Sequence, residues 1–205
     1  MGHPFCDLYP SKKEDVFQQY SLNPNKQFVS VLPGSRKSEI KDLLPTYIDF
    51  INLHSKENVN YEYLIPASDT KIMELISSYI PSSLPIRVEI NSTRDFLSIS
   101  EFSVVTSGTA TLESAILGVF PIICYKTNPL NFFIISRMLK VDNIGLPNLL
   151  LGARKFPELI QRNCNPISIN AASKEIEDMQ SVSAQLRELL IGETEEAYIN
   201  AILKL

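Results

Sequence analysis

Short apolar runs alternate with stretches of helical hydrophobic spacing along most of the chain. QFVSVLPGS (27–35) is an apolar run closed by Pro-Gly, which predicts a strand and a turn. RKSEIKDLLPTYIDFINLH follows, with Ile40, Leu43, Leu44, Tyr47, Ile48 and Ile51 on one helical face and Pro45 as a distorting element. YEYLIPAS (61–68) predicts a second strand, TKIMELISSYI a second helix, and LPIRVEI (84–90) a third strand whose charges place it near a sheet edge. STRDFLSIS predicts a short helix capped by Ser92 or Thr93. EFSVVTS predicts a fourth strand, TATLESAILG a helix closed by Gly118, and VFPIICYK (119–126) a fifth strand. NPLNFFIISRMLK predicts a helix, DNIGLPNLLLG (142–152) a sixth strand or extended segment, and FPELIQ the start of a helix with Pro157 in its first turn. From about Ile169 the pattern is charged amphipathic helix to the end.

Strands alternating with helices imply βαβ units and a parallel sheet. The expected fold is α/β, a Rossmann-like doubly wound parallel sheet with a C-terminal helical tail. The expected divisions are a linker remnant and lead-in segment over 1–26, a nucleotide-binding domain over 27–166 and C-terminal helices over 167–205. Ligands in such sheets lie at the carboxyl ends of the strands. Three polar clusters fall there: PGSRKSE, TSGTATLE and YKTNP.

In TSGTATLE, Ser107, Gly108 and Thr109 stand where a strand hands over to a helix. A helix N-terminus offers unpaired N–H groups, and Gly108 lets a ligand approach the backbone, so the stretch can cradle a phosphate. Simple capping is the alternative. A capping box needs its acid three residues after the cap hydroxyl, and Glu113 follows Thr109 by four. That spacing puts Glu113 on the face of Thr109, one turn in, where a carboxylate can accept ribose hydroxyls. In PGSRKSE, Gly34 permits a sharp turn and Ser35 is the expected N-cap. Arg36 and Lys37 then open a helix against its dipole, a penalty that an anionic ligand reverses; solvation of both cations is the alternative. Tyr125, Lys126 and Asn128 end the fifth strand. Asn148 stands in GLPNLLLG, where a lone asparagine ordinarily forms a turn. Neither G-x-x-x-x-G-K-[ST] nor G-x-G-x-x-G occurs.

Composition narrows the function classes. A net charge of −4 without a basic stripe argues against nucleic acid as a partner. Cys6, Cys124 and Cys164 are scattered and make no metal-ligand spacing with His3 or His54, which fits a reducing cytoplasm and no metal. The opening MGHPFCDLYPSKKEDVF lacks the apolar stretch of a secretory signal, and no run of about 18 apolar residues occurs to span a bilayer. Phe132, Phe133, Ile135 and Met138 can meet a membrane surface or pack on the sheet, and packing is the better fit.

LPGSRKSEI, TSGTATLESAILGVFPIICYK and IGLPNLLLG, in this order, resemble the lipid-A-disaccharide synthase family, and GHPFCD resembles that family's interdomain segment. The resemblance runs from Gly2 to about Pro166. It implies the C-terminal, donor-side domain of a GT-B glycosyltransferase. It also implies a metal-free inverting transfer of diacylglucosamine from UDP-2,3-diacylglucosamine to 2,3-diacylglucosamine 1-phosphate (lipid X), on the path to lipid A of Gram-negative lipopolysaccharide. By that resemblance Gly34, Ser35 and Arg36 meet the diphosphate, and Ser107, Gly108 and Thr109 cradle phosphate. Glu113 holds the ribose, Tyr125 and Lys126 flank the nucleotide, and Asn148 faces the donor sugar or diphosphate. Arg36 and Asn148 are then the residues expected to be essential for catalysis. The family's glycine-rich loop, acceptor site and general base belong to its first domain, which this chain lacks; Asp7, Glu39 and Asp142 match no such motif. Activity is therefore expected only with a partner supplying that domain. A homodimer and peripheral contact with the cytoplasmic face of the inner membrane are the other implied associations. Two further readings stay open: a non-catalytic UDP-binding or inactive fragment, and a related UDP-GlcNAc enzyme such as a 2-epimerase or murein-type transferase.

Overall fold

A computed structural model describes Phe5, residues 7–126 and residues 143–191. The expected helix over 128–140 with its membrane or core-packing role, the last part of the helical tail, and Asn128, Asp142, Cys6 and His3 lie outside the described residues.

The described strands are β1 (Gln27–Leu32), β2 (Tyr61–Ala67), β3 (Ile86–Ile90), β4 (Phe102–Thr106), β5 (Phe120–Tyr125) and β6 (Glu158–Ile160). They form one parallel sheet in the order β3-β2-β1-β4-β5-β6. The chain winds outward from β1 in one direction, then returns to β4 and winds outward in the other. The doubly wound expectation holds, and the switch point lies between β1 and β4. β1, β4 and β5 are nearly buried throughout, as a parallel sheet covered on both faces requires. β3, with Arg87 and Glu89, is half-buried along its length and forms the expected edge.

The described α-helices are α1 (Lys13–Gln19), α2 (Lys37–Glu57), α3 (Thr70–Ser77), α4 (Thr93–Ile99), α5 (Thr109–Ile116), α6 (Leu146–Leu151), α7 (Pro166–Ala172) and α8 (Gln180–Ile191). α2 runs on through Pro45, because its buried stripe from Ile40 to Ile51 continues on both sides of the proline. α1 was not anticipated in the lead-in segment. Its Val16 joins Leu22, Phe28, Leu64, Phe96 and Ile99 in a small core under one face of the sheet. The larger core runs from Val29, Val31, Tyr47 and Ile51 through Leu112 and Ile123 to Leu186 and Leu190 of α8, and takes in both faces at β4 and β5, where Val104 and Val105, and Ile122 and Ile123, all belong to it. Successive side chains of β1 point to opposite faces, so Phe28 and Val29 enter different cores.

Two expected elements are corrected. Residues 146–151 are helical rather than extended: Pro147 stands in the first turn and Gly152 takes the left-handed conformation (φ +63°) after the last. Residues 158–160 are a strand rather than a helix, because the β5 edge is open there and Pro157 O accepts the Ile123 N–H. The described part of the tail holds α7 and α8, with residues 173–179 between them.

Candidate functional site

A cleft of about 570 Å³ opens at the carboxyl ends of β1, β2, β3 and β4, over the switch point. Two helices begin at its wall, α2 from the Pro33–Arg36 turn and α5 from the Ser107–Gly108 turn. The cleft floor is tied across the switch point by Thr106 Oγ1, which donates to Leu32 O at 3.0 Å.

The α5 turn is built for backbone access. Gly108 is the N-cap at φ +156° and ψ −166°, a region left almost wholly to glycine, and no side chain caps the helix. Thr111 Oγ1 donates to Gly108 O at 2.7 Å, so that hydroxyl caps nothing either. The first N–H groups of α5 therefore face the cleft without a side-chain acceptor, where the helix dipole favours an anion. Ser107 is held from behind: its N–H bonds Cys124 O at 2.9 Å and its hydroxyl donates to Ile144 O at 3.2 Å.

The α2 turn differs from its expected form. Arg36, not Ser35, is the N-cap. Glu39 accepts the Arg36 backbone N–H at 3.3 Å and pairs with its guanidinium at 3.3 Å, offsetting the dipole penalty. The Arg36 side chain is 80% exposed, and a solvated pair of this kind is worth at most about 1 kcal/mol, so the guanidinium can leave Glu39 for a stronger anion. Gly34 sits at φ +99°, and a Cβ there would come within 2.9 Å of Glu39 Cβ.

Glu113 lies one turn into α5 on the cleft wall. Among the described residues no hydrogen bond reaches its carboxylate, and burial raises its pKa above the ordinary value. An acid held in a cleft at a desolvation cost, with acceptor capacity unused, points to a donor-bearing ligand.

Gly34, Ser35, Arg36, Ser107, Gly108, Thr109 and Glu113 thus line one cleft. The structure does not bring the other three expected residues there. Tyr125 ends β5 away from the lining, and Lys126 Nζ donates to Thr46 Oγ1 of α2 at 3.2 Å. Asn148 is fully buried in α6, its amide engaged with Phe156, Lys155 and Glu158. Ser68, Asn91 and Thr93 line the cleft and were missed. They follow β2 and β3, so the strand-end rule that found the other clusters applied to them too; NST was read only as a helix cap. No cluster of metal-ligating side chains occurs among the described residues.

Solved structures share the fold. ADP-heptose lipopolysaccharide heptosyltransferase II of E. coli matches with a TM-score of 0.56 at 13% identity, over 84% of this chain and 51% of that one. The C-terminal domain of a group 1 glycosyl transferase from Francisella tularensis matches with a TM-score of 0.54 at 11% identity, over the whole of both chains. The sheet is the Rossmann-like half of a GT-B fold. In sequence, lipid-A-disaccharide synthase of Sulfurihydrogenibium sp. is 34% identical over 93% of this chain and 53% of its own length. That of Acinetobacter baylyi is 32% identical over all of this chain and 57% of its own. The chain spans about half the length of these relatives. The sequence profile of lipid-A-disaccharide synthetase matches residues 1–200, and the chain belongs to that family.

Proposed function

We propose that this chain is the donor-binding half of a lipid-A-disaccharide synthase, holding UDP-2,3-diacylglucosamine while residues outside the chain supply the acceptor site and general base. The observation that carries the reading is the cleft itself. The uncapped start of α5, an exposed guanidinium at the start of α2 and a half-buried acid with no hydrogen bond among the described residues face one cavity.

These groups divide the work a nucleotide-sugar donor requires. The α5 amides, with the hydroxyl of Thr109, bind phosphate oxygens, while Ser107 holds the turn from behind. Arg36 exchanges Glu39 for the diphosphate and neutralises charge as it builds on the departing UDP, the part a metal plays elsewhere. Glu113 accepts the two ribose hydroxyls, restoring the bonds it lacks in the free protein. Inversion follows when an acceptor hydroxyl, deprotonated by a base outside this chain, attacks the face of the sugar opposite the diphosphate. Gly34 keeps the α2 turn free of a side chain where the diphosphate approaches.

Calorimetric titration with UDP tests the reading, with Arg36→Ala as the control. Saturable binding that weakens at least about tenfold in Arg36→Ala is the expected result. A folded chain that ignores UDP would overturn it. Mixing the chain with the separately expressed first domain of a relative tests catalysis, and restored disaccharide synthesis excludes a purely non-catalytic module.

A further inference from the structure

Glu158, the first residue of β6, has a side chain with no exposed surface. Burying a carboxyl costs several kcal/mol unless hydrogen bonds replace its water. Three N–H groups do so: Ile144 N at 2.8 Å, Gly145 N at 2.9 Å and Asn148 Nδ2 at 2.8 Å. The first two belong to the backbone that leads into α6. The fit is close: a Cβ on Gly145 would meet Ile123 Cδ1 at 2.4 Å, which would have to turn aside, and Glu158 Oε1 at 3.1 Å. Asn148 steadies the arrangement from the far side. Its second Nδ2 hydrogen goes to Phe156 O at 2.9 Å, and its Oδ1 accepts Lys155 N and Phe156 N at 2.9 Å each. The amide's two donors and two acceptor positions are all used.

The ladder between β5 and β6 needs none of these side-chain bonds. Their effect lies one residue on, where Ile144 C=O accepts the Ser107 hydroxyl at 3.2 Å. Ser107 begins the uncapped turn of α5. A continuous set of hydrogen bonds therefore runs from Asn148 and Glu158 through the Ile144–Gly145 backbone to the cleft.

We propose that Glu158, steadied by Asn148, is a positioning residue that fixes Ser107 and the start of α5 through the Ile144–Gly145 backbone. The inference rests on the donor-binding reading for its purpose, although the link itself exists without ligand. It gives Asn148 a part in donor binding that requires no contact with the donor.

Glu158→Gln tests this, because it keeps the shape and places an NH2 group against N–H donors. Amide exchange in the unliganded protein is read at Ser107 and Thr111, whose N–H groups bond Cys124 O and Gly108 O, and UDP affinity by calorimetry. The expected result is a folded variant with exchange at Ser107 and Thr111 about tenfold faster and UDP binding about tenfold weaker. Combined with Ser107→Ala, it should bind no more weakly than the weaker single variant, since both cut one link. Unchanged exchange, or losses that simply add, would overturn the proposal. If Glu158→Gln does not fold, Ser107→Ala decides alone: its unliganded exchange at Thr111 must rise, and unchanged exchange sinks the link. A wild-type chain that ignores UDP defeats the donor reading, while the exchange measurements still decide whether Glu158 positions the turn.

Discussion

Glu113 carries opposite demands on stability and binding. Burial raises its pKa, so between its unfolded and folded values the native state holds more protons than the unfolded one. Stability therefore declines as pH rises through that window, and the full cost is present above it. Glu113→Gln removes the cost, and its melting temperature at neutral pH is expected to rise by about 1–3 °C, measured by calorimetric scan. UDP affinity should fall about tenfold in the same variant, since the ribose loses a charged acceptor. In the wild type, affinity should weaken as pH falls through the raised pKa, because only the carboxylate accepts both hydroxyls. A variant that loses stability along with affinity would assign Glu113 to the fold instead. Gly34 makes the complementary case. At φ +99° a Cβ is strained and also meets Glu39, so Gly34→Ala should cost about 1–3 kcal/mol in denaturant unfolding. A cost below about 0.5 kcal/mol would mean that the turn relaxes freely.

α2 joins the cleft to a second constraint one helix-length away. Arg36 caps its first turn, and His54 lies buried in its last, 2.6 Å from the Tyr63 hydroxyl and flanked by the rings of Phe50, Tyr61 and Phe102. The C-terminal end of the α2 dipole favours a charged imidazole, but it is outweighed. Desolvation lowers its pKa most, Lys174 lowers it further, and Glu57 and Glu101 only partly oppose them. A histidine with a depressed folded pKa binds fewer protons folded than unfolded, so stability is full above the unfolded pKa and falls as pH drops through it toward the folded value. Melting temperatures should therefore fall from about pH 6.5 downward. His54→Gln should flatten that slope whatever its absolute stability, and an unchanged slope would place the titration elsewhere. The long elements were legible because burial on one face imposes a period on many residues at once. α6 and β6 were not, because LPNLLL and ELI are too short for a period to show. There the punctuation of Pro147 and Gly152 was the better signal. Asn148 reads as a loop asparagine in sequence because its four partners come from a strand and turn that only the fold brings near.

At the scale of the molecule, the ends of the described chain meet at the far end of α5, the helix that opens at the cleft. Arg187 of α8 donates to Leu8 O at 2.7 Å and to Ile116 O at 3.0 Å, and its guanidinium lies 4.8 Å from the centre of the Tyr9 ring. Ile116 is the last residue of α5, so the cation also meets the negative end of the dipole whose positive end faces the cleft. The lead-in strand is fastened a second time on α4, where Arg94 Nε donates to Tyr9 O at 2.7 Å and Ser11 Oγ to Asp95 at 2.6 Å. Residues 8–11 thus form a strap that holds the lead-in segment to α4 and α8. Charged hydrogen bonds to partly buried carbonyls are worth about 1.5–3 kcal/mol, so Arg187→Ala should lower the melting temperature by about 4–8 °C. Arg187→Lys should recover less than half of the loss, because a single ammonium cannot reach both carbonyls and the ring with the geometry of a planar fork. Amide exchange should quicken at Leu8–Ser11 in the alanine variant, while the strands of the sheet, closed by their own ladders, stay protected. Wild-type melting with Leu8–Ser11 unchanged would mean that α4 alone holds the strap; faster exchange throughout the sheet would make Arg187 part of the global fold rather than a local clasp.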